Sequence, residues 1–224
     1  MVFDLDGLLV DSEPVWRAAE IDVFGRYGVP LTDDLCRTTK GRVVQEVARL
    51  WHERFPWEGP TPEAVADEVV DRMAVLLAEQ VGLMPGAIDA LRWCRCQGLR
   101  LAVASSSPHR LIRAALDRHG LRGWFAVVCS AEDVAVGKPA PDVYLAASRR
   151  LGVAPERCVA LEDAPTGALA ALAAGMACIV VPDRDGDPLP MPVGVDLVLE
   201  SLAELPDAWP ALAVSFRRRV GADG

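Results

Sequence analysis

Positive charge is in short supply in this chain. Its 224 residues carry 23 Lys and Arg against 32 Asp and Glu, a formal net charge of −9. A body of that sign repels polyanions over its surface, so nucleic acid is not expected as a partner. If the ligand is an anion, a local device must attract it: a metal ion, a single lysine or helix N-termini. Also missing is any run near the roughly 18 apolar residues of a membrane-spanning helix, so no membrane partner is expected. Paired cysteines are missing too. Cys36, Cys94, Cys96, Cys129, Cys158 and Cys178 are scattered, and the "CRC" at Cys94 and Cys96 has no second CxxC or His pair to complete a zinc site. Reduced, mostly buried thiols are the expectation. The first residues run from Met1 into "VFDLDG" with neither a basic leader nor a signal-peptide core, so the expected compartment is the cytosol.

What is present suits one α/β domain, or a core with a small accessory domain. Apolar residues make up 51% and charged ones 25%, which excludes a disordered chain, a collagen and a small disulfide scaffold. "MVFDL" predicts a short strand, broken by Gly7. From Glu13 to Gly82 the pattern is helical throughout. One helix runs from Glu13-Pro14 to about Tyr27, capped by Asp11 or Ser12. A second covers about Thr32 to Thr38. A third starts near Gly41, with Val43, Val47, Leu50 and Trp51 at helical spacing, and a long one follows Thr61-Pro62.

The grammar then changes. After a helix from Pro85-Gly86, strands "RLAVASSS", "FAVVCS", "RCVALED", "ACIVVPD" and "VDLVLES" alternate with helices of about 10 to 13 residues, the signature of a parallel sheet wrapped by helices. "PDRDGDPLPMPVG" reads as a surface loop and the end of the chain as a last helix. The expected architecture is an α/β, Rossmann-like parallel sheet core, residues 1–12 and 83–224. A small all-α unit, 13–82, is inserted after the first strand.

Such sheets bind ligands at the carboxyl ends of their strands. The first strand ends in Asp4-Leu5-Asp6, two carboxylates that start on one side of an extended chain. The second ends in Ser105-Ser106-Ser107 before Pro108. There Ser107 suits an N-cap, leaving Ser105 beside the N–H groups of a helix start. Lys138 follows the third strand in the stiff loop "GKPAPD", where Asp142 suits a helix cap. The fourth ends in Glu162-Asp163. Either Asp163 caps the next helix, or it faces Asp4 and shares a hard cation. Three or four carboxylate oxygens plus water suit Mg²⁺. Together these strand-end groups read as nucleophile, phosphate binder, charge neutraliser and metal ligands.

The stretches "VFDLDGLLVDSEP", "VASSS", "GKPAPDVY" and "LEDAPTG" resemble the haloacid dehalogenase superfamily of aspartate-nucleophile phosphohydrolases, over the core from end to end. The subgroup most resembled holds β-phosphoglucomutase and bacterial phosphatases of hexose and hexitol phosphates, and the helical insertion matches its α-helical cap. The resemblance implies that an ionised Asp4 attacks phosphorus without a base, forming an aspartyl-phosphate. It implies that Asp6 is general acid and then base. Mg²⁺ is implied on Asp4, the Asp6 carbonyl and Asp163, with Glu162 near or in the shell. Ser105, Ser106 and Lys138 are implied to bind the phosphoryl oxygens.

The dehalogenase branch needs neither the second aspartate nor a metal. A mutase of the resembled kind carries an arginine three residues after a cap glycine; here that glycine is Gly41 and the third residue is Val44, with Arg42 at another offset. A phosphatase is therefore expected, with a sugar-phosphate mutase and a catalytically idle binding module as alternatives. The expected substrate is a small phosphorylated metabolite, and Glu13, Lys40 and Arg42 are candidates to read its non-reacting end. Trp16 suits the core better than a sugar platform. A monomer or weak dimer is expected.

Overall fold

In the computed structural model, the strand that leads into the first carboxylates is only two residues long, yet it lies inside the sheet. The structure describes residues 1–39, 42–182 and 190–210. In chain order the strands are β1 (Val2–Phe3), β2 (Val10–Asp11), β3 (Gly82–Leu83), β4 (Ala102–Ser105), β5 (Val127–Ser130), β6 (Val159–Glu162), β7 (Ala177–Val180) and β8 (Leu197–Val198). The helices are α1 (Glu13–Arg26), α2 (Asp33–Arg37), α3 (Val44–Arg54), α4 (Pro62–Gln80), α5 (Ala87–Cys96), α6 (His109–Arg118), α7 (Asp142–Leu151) and α8 (Pro165–Ala173). Residues 205–210 are helical as well. Among the described residues, no helix is long and apolar enough to cross a membrane.

The chain forms two compact units, Met1–Asp11 with Gly82–Gly224, and Ser12–Val81. Both crossings fall one residue before the sequence expectation. Asp11 and Gly82 pair in an antiparallel ladder, β2 with β3, where the sequence pattern suggests only loop and helix.

The first unit is an α/β fold. Its sheet has the order β5-β4-β1-β6-β7-β8, with every pairing parallel. Phe3 aligns with Val103 on one side and Leu161 on the other, and the Asp4 N–H donates to the Leu161 carbonyl at 3.0 Å. Short β1 thus delivers Asp4 level with the ends of both neighbours. β4, β6 and β7 are wholly buried, as a sheet covered on both faces requires. Small side chains at Ala146, Ala147, Ala168, Ala170 and Ala171 line a core shared with Val2, Ala104 and Tyr144, so α7 and α8 pack closely.

The second unit packs α1 on α4 and α2, and α3 on α4. Trp51, Phe24 and Met73 are fully buried. Thr32 and Thr61 cap α2 and α4 through their side chains. Three local expectations are corrected. Val43 is exposed and Ala48 takes its place in the core, because α3 begins at Val44 and Val43 precedes it. Ser12 occupies the N-cap of α1 but makes no side-chain capping bond. Gly82 belongs to β3, not to the helix before it. The cysteines are free, and five of the six are buried. Most of the Pro-rich loop expectation, residues 183–189, lies outside the described residues.

Candidate active site

Lys138 is the hub of the strand ends. Its Nζ donates to Asp4 Oδ1 at 2.5 Å, to Glu162 Oε1 at 2.6 Å and to the Ala104 carbonyl at 3.0 Å, using all three ammonium protons. The side chains of Lys138, Asp4 and Glu162 are almost wholly buried, at 6%, 8% and 1% exposure, so each charge needs the others. Burial pushes the Asp4 carboxyl up and the Lys138 ammonium opposes it, while Glu162 and Asp6 push it higher. The resemblance implied an ionised Asp4; this pocket favours that form only through positive charge. For Lys138 burial favours the neutral amine, but the Asp4 and Glu162 carboxylates outweigh it and the net shift is upward.

Tyr144 completes the cluster, and the sequence reading missed it. Its buried hydroxyl donates to Glu162 Oε1, and Lys138 Nζ sits 5.1 Å from its ring centroid. The available signal was its place on the apolar face of α7, since a buried tyrosine hydroxyl needs a partner. Glu162 Oε2 accepts the Asp163 N–H at 3.3 Å. A Cβ at Gly167 would lie 2.0 Å from Glu162 Cδ, so the carboxyl fits only against a glycine.

Asp6 faces a different set. Its Oδ2 accepts from Ser107 Oγ at 2.7 Å and from Ser105 Oγ at 3.4 Å, and Ser105 Oγ accepts the Ser107 N–H at 3.0 Å. Ser107 was expected to cap α6. Pro108, which has no side-chain acceptor, occupies that N-cap instead, and the Ser107 hydroxyl is committed to Asp6. Asp142 and Asp163 are likewise not caps; Pro141 and Ala164 hold those positions. Ser106 is exposed at the strand tip. Glu13 and Arg42 belong to the second unit, and Lys40 and Gly41 lie outside the described residues.

Asp4, Glu162 and Asp163 each offer a carboxylate oxygen within 4.8 Å of the others, the one such group among the described residues. An all-oxygen set fits a hard divalent cation such as Mg²⁺, and so does a buried carboxylate short of positive charge. Gly7 shapes the same place: a Cβ there would meet Asp163 Oδ2 at 2.3 Å. Asp6 Oδ2 is turned to the serines, and the Asp6 carboxylate is not part of this group.

Comparison with known proteins decides the family. The model of the haloacid dehalogenase-like hydrolases matches residues 1–175. The chain belongs to that family. Hexitol phosphatase B of Escherichia coli (strain K12) is 41% identical over 205 residues, covering 91% of this chain and 92% of that protein. Fructose-1-phosphate phosphatase YqaB of the same organism is 34% identical over 187 residues, covering 81% and 95%. The crystal structure of CbbY from Rhodobacter sphaeroides in complex with phosphate superposes with a TM-score of 0.77 at 33% identity, covering 91% and 94%. The chain is an enzyme, a phosphoric monoester hydrolase of the haloacid dehalogenase type.

Proposed function

We propose that this phosphatase hydrolyses a small sugar or polyol phosphate in the cytosol, with Mg²⁺, through an aspartyl-phosphate on Asp4. The observation that carries the reading is the Lys138 ammonium held between Asp4 and Glu162, with Asp163 beside them. Asp4 attacks phosphorus while the bond to the ester oxygen breaks, and Asp6 gives that oxygen a proton. Asp6 then takes a proton from water as the water attacks the acyl-phosphate. Phosphate leaves and Asp4 is regenerated. Lys138 and the Ser105–Ser106 segment hold the phosphoryl oxygens. Asp4, Asp163 and the Asp6 carbonyl, with Glu162 near or in the shell, would hold Mg²⁺, whose charge offsets repulsion between Asp4 and the phosphate dianion.

Substrate choice is assigned to the second unit, Ser12–Val81, which enters the chain just after the nucleophile loop. Glu13, Arg42 and Lys40 are its candidates for the non-reacting end. Relatives named for hexitol phosphate and fructose 1-phosphate support the small-substrate reading. Val44 where a mutase of this type has arginine favours hydrolysis over phosphoryl return.

The experiment is a phosphate-release panel of hexose, hexitol and nucleotide phosphates and phosphopeptides, with and without Mg²⁺. Hexose or hexitol phosphates are expected to lead by kcat/KM, EDTA to silence the enzyme and Mg²⁺ to restore it. Phosphopeptides ahead of sugar phosphates, or full activity after metal stripping, would overturn the corresponding part.

A further inference from the structure

A second dense polar group of the first unit lies on the turn that follows β5. Ser130 is fully buried, and its Oγ donates to the Ser107 carbonyl at 2.7 Å. That hydroxyl also accepts the Glu132 N–H at 3.1 Å, and Asp133 Oδ2 accepts the Ser130 N–H at 3.1 Å, so a capping box fixes the Ser130 rotamer. Glu132 Oε2 accepts the main-chain N–H of His109 at 2.8 Å. Asp133 Oδ1 meets His109 Nε2 at 2.9 Å, and its Oδ2 takes Arg150 at 2.8 Å. One short turn therefore grips the neighbouring loop at three points: the Ser107 carbonyl, the His109 N–H and the His109 ring.

The gripped loop carries the hydroxyl that holds Asp6. We propose that Ser130, Glu132 and Asp133 are positioning residues for Asp6, fixing from outside the site the main chain from which Ser107 reaches its carboxyl. The inference rests on the reading of Asp6 as general acid. A general acid must keep its proton within hydrogen-bond reach of the leaving oxygen. Misplacement of about 1 Å costs up to about a hundredfold in rate. The capping that Ser107 does not supply is explained by the same arrangement. Its hydroxyl is spent on Asp6, and Glu132 satisfies the first N–H of α6 in its place.

The test compares leaving groups. An alkoxide needs a proton as it departs and a nitrophenolate does not, so loss of acid catalysis selects against alkyl esters. The readout is kcat/KM for a hexitol phosphate and for p-nitrophenyl phosphate, because it stops at ester cleavage and excludes the later hydrolysis of the acyl-phosphate. Asp6→Asn sets the reference for selective loss. Ser130→Ala and Asp133→Asn are expected to lose about tenfold on the hexitol ester and no more than about twofold on the nitrophenyl ester, with Ser130→Thr restoring the hexitol rate. Should Ser130→Ala fail to fold, Glu132→Ala removes an exposed side chain and carries the same expectation. Equal losses on both esters, with Asp6→Asn selective, would overturn the positioning role and leave the general-acid reading standing. No selectivity in Asp6→Asn itself would overturn both.

Discussion

Two demands meet at Gly7. Its φ is +77°, a left-handed conformation that costs other residues about 1 kcal/mol or more. A Cβ there would also stand 2.3 Å from Asp163 Oδ2. Gly7→Ala is therefore expected to push Asp163 off its place and to weaken Mg²⁺ binding, measured by calorimetry, by about ten- to a hundredfold. Unchanged Mg²⁺ affinity in a folded variant would remove Asp163 from the cation site. At this scale the strand-end groups were legible because Asp4, Ser105, Lys138, Glu162 and Asp163 are chemistry-bearing residues at the ends of apolar runs or in a stiffened loop. Ser107 was misread because a serine before proline suits a helix cap equally well, and only the approach of Asp6 decides where its hydroxyl goes. Tyr144 was hidden because a tyrosine in an apolar helical face reads as core, and nothing local points to Glu162.

Helices α1 and α2 carry a buried polar contact that the sequence pattern does not reveal. Glu20 is 8% exposed, and its Oε2 has no hydrogen-bond partner. Burial pushes its carboxyl up to about 7; the Cys36 thiol, by hydrogen bond, and Arg17 oppose this, while Glu13 adds to it. Burial and the same carboxyl push the Cys36 thiol up to about 12, so it is a poor nucleophile. The folded state therefore binds a proton at Glu20 that the unfolded chain releases nearer 4.5, and this site's contribution to stability falls as pH rises from about 4.5 to 7. Glu20→Gln should gain on the wild type, by up to about 3 kcal/mol, between about pH 5 and about pH 8 in denaturant unfolding. A difference that stays constant with pH would contradict the assignment. Long elements with a clear period were legible, α4 and the run from β4 to β7 among them. Strands β2 and β3 were not, because two residues carry no alternation and their pairing joins segments far apart in sequence.

At the scale of the whole molecule, a chain of net charge −9 gathers one buried ammonium and a carboxylate cluster suited to a cation at its strand ends, and the proposed reading has an anionic substrate drawn there. A net negative charge gives a phosphate no general attraction, which suits the proposed substrate with a single phosphate and a neutral body. The α/β plan was readable from the alternation of strands and helices, whereas any residues that read the non-reacting end of a substrate were not, since their partners depend on a ligand. The central claim is that Asp4 carries the phosphoryl group, and the most direct test traps it. The enzyme is mixed with Mg²⁺ and a hexitol phosphate, quenched within milliseconds and treated with borohydride, which reduces an acyl-phosphate to the alcohol; peptides are then read by mass spectrometry. The expected result is homoserine at position 4, and none when substrate is omitted. Reduction at another carboxylate, or none at position 4 under conditions of measured turnover, would contradict it.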